Sequence, residues 1–237
     1  MGNVRELWTC RLGTVGWAEA FAIQVAVRNL RQLDEVPDTL LLVEHPATVT
    51  LGRRADESEI PSGREWLASR GIEVFSADRG GRVTCHEPGQ LVGYPIMRTD
   101  DVTEFVRRME RAIITALAES GVQAQTRSGL TGVWCDERKI GSIGIHVQRG
   151  VTTHGFSINA ENNLSTFSEV VPCGLPDVQM TSIALEGGEG GINCLRHRVG
   201  HAFAAEHGLR QRLVSPQRLG IDAPIARAVP CAPKVAA

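Results

Sequence analysis

The chain has 237 residues, 42% hydrophobic, 22% charged and 5% aromatic, the proportions of a globular protein large enough to need neither disulfide nor metal for stability. Its 25 basic and 27 acidic residues leave a net charge of −2, which excludes nucleic-acid or anionic-membrane binding driven by bulk charge. The longest strictly aliphatic run, Leu40 to Val43, falls far short of the roughly 20 apolar residues of a membrane span. No signal peptide is visible in Met1 to Trp8, so a cytoplasmic location is expected.

In chain order, residues 17–33 carry apolar positions at helical spacing with Arg on the other face, which predicts a helix. Thr39 to Glu44 is a short apolar run closed by His45-Pro46, as in a buried strand, and Thr48 to Leu51 alternates like a second one. Residues 55–70 are polar and predict a loop with a short helix. Residues 72–75 and 83–85 flank Asp78-Arg79-Gly80-Gly81, the pattern of two strands joined by a turn. Another strand follows at 91–96. Asp101 and Glu104 form a capping-box pattern ahead of the clearest apolar stripe in the chain, from Val102 to Leu117, with Gly121 as its stop. Strands are then expected at 131–134, at 140–147 (broken by Gly141 and Gly144) and at 152–158. A Pro/Gly/Asp-rich loop comes next at 171–177, and the glycines of 187–191 lead into a terminal helix from Ile192 to about Arg212. Strands in hairpin-like runs with helices interspersed predict an α+β fold, not a doubly wound parallel sheet.

Several chemistries are absent. Neither lysine follows a glycine, so there is no Walker A loop, and no Gly-x-Gly-x-x-Gly or Gly-x-Ser-x-Gly stretch occurs. Pro88-Gly89 breaks the helix that a zincin motif at His86-Glu87 would need. Cys194, His197 and His201 share a helix face but find no fourth ligand, so no metal is expected. The six cysteines form no Cys-x-x-Cys pair and are expected as free thiols in a reducing compartment.

Two residues stand out. Of the 25 basic residues only Lys139 and Lys234 are lysines, and Lys139 directly follows Arg138. A second arginine there would keep the charge; what it could not do is lose a proton near neutrality, as a partly buried lysine can. Cys173 lies between Pro172 and Gly174, a loop context that presents a thiol instead of burying it. Its reactive form is the thiolate, which wants a cation or imidazole nearby: Lys139, His86 or His154.

Taken in order, Leu40-Leu41-Leu42-Val43-Glu44-His45-Pro46, Gly52-Arg53-Arg54, the run from Asp78 to Ile96, Gly132-Val133-Trp134, Lys139 to Gly144, His154 to Asn159 and Val171-Pro172-Cys173-Gly174 resemble the lipoyl(octanoyl) transferase family over roughly residues 7–186. The resemblance implies a mixed, largely antiparallel sheet flanked by helices, as in biotin and lipoate protein ligases. Residues 1–220 would form a single catalytic acyltransferase domain, and 221–237 a flexible Ala/Pro-rich tail. It implies transfer of an octanoyl or lipoyl group from octanoyl-acyl carrier protein to a lysine of lipoyl domains, namely those of 2-oxoacid dehydrogenase E2 subunits and the glycine cleavage H protein. By motif match Cys173 is the acyl-thioester nucleophile and Lys139 the acid/base that lowers its pKa. Arg79, Gly80, Gly81, Arg82, Val83, Thr84, Cys85 and His86 resemble the substrate-binding segment. Ser142, Ile143 and Gly144, with Gly155, Phe156 and Ser157, resemble the other two substrate stretches, and His154 adjoins the last of them. No cofactor or ATP is implied. Two alternatives stay open, an ATP-dependent ligase of the same fold and a non-catalytic binder of lipoyl domains.

The chain departs from the family pattern at Cys85 (an aromatic is usual), Glu87 (Gly), Ser157 (Ala) and Gly141 (Ala). If the Glu87 position required φ > 0, a side chain there would cost about 1–2 kcal/mol. A carboxylate beside His86 would also raise the pKa of that histidine.

Overall fold

The computed structural model describes residues 5–171 and 178–221. Its elements are β1 (Glu6–Thr14), α1 (Trp17–Gln32), β2 (Thr39–Glu44), β3 (Thr48–Leu51), α2 (Arg64–Ser69), β4 (Glu73–Ser76), β5 (Val83–His86), β6 (Gln90–Ile96), α3 (Val102–Ala118), β7 (Gln125–Arg127), β8 (Leu130–Cys135), β9 (Arg138–Gln148), β10 (Val151–Asn159), α4 (Ile192–Glu206) and β11 (Arg210–Val214). Eight strands form one sheet in the order β11-β1-β2-β6-β10-β9-β8-β7. Pairing is parallel across β11-β1-β2 and antiparallel from β2 to β7, the mixed α+β sheet that the strand pattern predicts.

The apolar run of β2 shows why this sheet is buried on both sides. Side chains alternate across a pleated strand, so Leu40 and Leu42 join one core, under α3 and α4, while Leu41 and Val43 join another, under α1. The α3 stripe of Phe105, Met109, Ala112, Ile113, Ala116 and Leu117 packs into the first core, as its spacing predicts. Asp101 caps that helix by accepting from the Glu104 N–H at 2.9 Å. The reciprocal half of the box is missing, since the Glu104 carboxylate turns to Arg108 and Arg111.

Strands β4, β3 and β5 make a second, small sheet with its own core of Val49, Leu51, Leu67, Val83 and Phe167. Here the expected turn between β4 and β5 is not a hairpin. β4 runs parallel to β3 and β5 antiparallel to it, so residues 77–82 cross over the end of β3 and join its two opposite neighbours. β9 also runs unbroken through Gly141 and Gly144. The terminal helix stops at Glu206; after Gly208, at φ +62°, the chain enters β11 and pairs with β1, a strand with no simple alternation. Cys10, Cys85 and Cys135 are buried free thiols as expected, whereas Cys194 is disulfide-bonded and corrects the expectation of six free thiols. Among the described residues no helix is long and apolar enough to cross a membrane.

Candidate active site

The two sheets meet over a cavity of about 530 Å³. Its floor is β9 and β10, its roof the 77–82 crossover and β5, and one wall is the N-terminal half of α3 with β8. Backbone contact locks roof to floor, because Gly80 N–H donates to Ile145 O at 2.9 Å. A Cβ on Gly144 would lie 2.6 Å from Gly80 O, so only glycine lets β9 and the crossover approach so closely. Arg79 ties the same roof to β3. Its guanidinium donates to Gly80 O, Arg82 O, Thr50 O and Thr50 Oγ1, at 2.7–3.1 Å.

Most of the residues expected at the site line this cavity. Arg79 through Thr84, His86, Ser142 through Gly144, and His154 through Ser157 are all on its surface, and so is Lys139. The alternation of β5 takes Cys85 away from it. That side chain is fully buried in the small-sheet core, with Sγ 3.4 Å from Thr166 O. Cys173 lies outside the described residues. Trp17, Val102, Val106 and Leu130 also line the cavity without having been expected there, since none lies in a recognised motif; Val92, Tyr94 and Trp134 do lie in the quoted motifs but read equally well as core. Arg53 and Arg54 stand exposed at the rim, whereas Arg107 and Arg108 pair with Glu110 and Glu104 on their own helix.

Lys139 is 4% exposed. Its Nζ lies 5.2 Å from the centre of the Trp134 ring, a cation–π distance. Its backbone is held from the other side by the chain returning toward α4: Lys139 N–H donates to Gln179 O at 2.8 Å, and Thr181 N–H to Lys139 O at 2.9 Å.

Hydrogen bonding fixes the tautomers of His86 and His45. His86 Nδ1 is 2.8 Å from Gln90 Oε1, and the Gln90 amide nitrogen donates to Cys85 O and Asn159 Oδ1. That oxygen is therefore the acceptor, His86 carries its proton on Nδ1, and Nε2 is left with a lone pair. His45 likewise donates from Nδ1 to Val15 O and accepts the Tyr94 hydroxyl proton at Nε2. Burial pushes His86 down to about 3, helped by the neighbouring His45, and His45 down to about 4. The expected rise from Glu87 does not occur. Glu87 is not at positive φ, and its carboxylate accepts from Asn162 Nδ2 at 2.9 Å and Thr166 N–H at 3.2 Å. His154 takes the strain instead, at φ +56° in the middle of β10. It stacks on Phe21 and donates to Asp78 at 2.5 Å, while burial holds its pKa below the usual value.

A buried amine in a cavity with apolar walls and bare-backbone surfaces suits an acyl chain better than a polar substrate. Known proteins agree. The model for the lipoyl protein ligase A/B catalytic domain matches residues 17–204. Octanoyltransferase from Acidothermus cellulolyticus is 44% identical over 184 residues, covering 74% of this chain and 80% of that protein. The octanoyltransferase of Solibacter usitatus is 42% identical, covering 82% and 90%. In fold, the chain is similar to a bipartite lipoate protein ligase of Thermoplasma acidophilum (TM-score 0.72, 17% identity, 91% and 90% covered). A lipoate-protein ligase A solved with ATP is also similar (TM-score 0.70, 14% identity, 92% of each chain). With relatives this close along most of its length, the chain belongs to the octanoyltransferases of the lipoyl protein ligase A/B family, and is an acyltransferase.

Proposed function

We propose that the chain transfers an octanoyl group from octanoyl-acyl carrier protein to a lysine of lipoyl domains, through a thioester on Cys173. The observation that carries this reading is the buried Lys139 amine in an apolar-walled cavity, its backbone paired with the segment a few residues after Cys173. Residues 1–220 act as one catalytic domain, in the cytoplasm, without ATP or cofactor. In the first step the Cys173 thiolate, paired with the Lys139 ammonium, adds to the donor thioester carbonyl. The carbon–sulfur bond to phosphopantetheine breaks, and the leaving thiolate takes a proton from Lys139. In the second step the acceptor amine attacks the acyl-enzyme, neutral Lys139 removes its proton, and Cys173 leaves. Backbone N–H groups around Ser142 to Gly144 stabilise the oxyanion of both tetrahedral intermediates. Arg53 and Arg54 at the rim suit an acidic carrier protein. The acceptor class has support in the Thermoplasma ligase, which was studied together with its E2 lipoyl domain; 2-oxoacid dehydrogenase E2 subunits and the glycine cleavage H protein carry such domains.

Intact-protein mass spectrometry after incubation with octanoyl-acyl carrier protein tests the scheme. One octanoyl adduct is expected on the parent chain and none on Cys173→Ala. Turnover at the parental rate in Cys173→Ala would defeat it, and conversion of free octanoate only with ATP would favour the ligase alternative. An unmodified parent chain would favour the non-catalytic binder.

A further inference from the structure

Glu110 has no part in that chemistry, yet it is a carboxylate with no exposed surface on the core-facing side of α3. Burying a carboxylate is costly unless strong hydrogen bonds hold it. Its Oε2 accepts from Arg107 Nη1 at 2.6 Å, a bond any surface helix can make. The other bond is unusual: Oε1 accepts from the backbone N–H of Gly132, 3.0 Å away in β8.

Gly132 sits where the sheet is irregular on both sides. The β7–β8 register slips between Gln125 and Arg127, and the β8–β9 register slips between Val133 and Trp134. A side chain on α3 thus supplies the acceptor that a regular ladder would supply. The backbone it holds is at φ +122°, which side-chain-bearing residues rarely adopt, and it faces the lysine. A Cβ on Gly132 would lie 2.8 Å from Lys139 Cε, 3.3 Å from Nζ and 2.6 Å from Gly141 O. The bare face of Gly132 is therefore one wall of the slot that contains the Lys139 amine, and the Trp134 ring is another.

We propose that Glu110 is the positioning residue for Lys139, holding the Gly132 backbone in the one conformation that leaves room for the lysine amine at the cavity. This rests on the acid/base reading of Lys139, and its failure can be told apart from the failure of that reading. The experiment measures kcat, KM for octanoyl-acyl carrier protein and the thermal midpoint for the full chain and five variants. Glu110→Ala is expected to lower kcat roughly ten- to a hundredfold, the penalty of a misplaced catalytic group, with KM unchanged within about twofold. Glu110→Gln keeps an acceptor for the Gly132 N–H and is expected to recover most of the loss. Arg107→Ala, which removes only the other bond of Glu110, is expected to turn over at the parental rate. If Glu110→Ala shows no cooperative unfolding, Gly132→Ala carries the test, because it keeps the carboxylate but fills the slot; the same fall in kcat is expected. Parental kcat in folded Glu110→Ala or in Gly132→Ala overturns the proposal, as does a loss shared equally by KM or a Gln variant no better than Ala. If Lys139→Met keeps parental turnover, the reading of the lysine falls; if it abolishes turnover while folded Glu110→Ala does not, only the positioning role falls.

Discussion

Glu87 shows how one side chain can tie together segments far apart in the chain. Where the family resemblance implies glycine, this chain buries a carboxylate that links the end of β5 to Asn162 and to the N–H of Thr166, on the segment that runs on to Val171. Glu87→Ala leaves the Thr166 N–H without its acceptor and Asn162 Nδ2 with Asn159 Oδ1 alone, and is expected to cost roughly 1–3 kcal/mol in urea unfolding, with Glu87→Gln in between. A change within error in the alanine variant would show that the brace is idle. Read as sequence, Glu87 looked like a strain point and a perturbation of His86; nothing local says that its partners lie some 75 residues away. Lys139 was more legible, because in a chain so rich in arginine a lysine is a choice. The Asp78–His154 pair was not, since a left-handed histidine in mid-strand leaves no mark in residue order.

Among the elements, those with a strong local pattern came through. The α3 stripe and the apolar run of β2 each encode both type and buried face, and Asp101 encodes where α3 begins. Asp101→Ala removes an acceptor from the first turn and is expected to cost about 0.5–2 kcal/mol. The measurement is again equilibrium unfolding, and the prediction fails if Asp101→Ala matches the parent. Elements defined by distant partners were not legible. Arg210 to Val214 has residues that a helix would accept, and Gly208 was the only stop signal; pairing with β1 decides in favour of a strand. The crossover at 77–82 carries a hairpin's residues without a hairpin's pairing, because both flanking strands find β3 instead.

For the molecule as a whole, buried His45 and His86 and half-buried His207 predict a response to acid. Burial pushes His45, His86 and His207 down to about 4, about 3 and about 4, against 6.5 for the free side chain. Below 6.5 an unfolded chain takes up protons that the folded chain refuses, so their contribution is complete above that pH and is lost as pH falls toward 4. Each adds a slope of up to about 1.4 kcal/mol per pH unit. The thermal midpoint is expected to drop between about pH 6.5 and pH 5, above the range where carboxylates titrate, and to drop less steeply in His45→Gln. A flat profile over that interval contradicts the assignment.

One pairing has a consequence for how the chain is made. β1 is flanked by β2 on one side and β11 on the other, and Arg210 N–H closes onto Arg5 O. During synthesis the second neighbour of β1 is not translated until some 200 residues later, so one row of its N–H and C=O groups stays unmated throughout. The nascent protein therefore carries a sticky seam on the ribosome until almost its last strand emerges. Translation halted before Arg210 would leave that seam open to any passing strand.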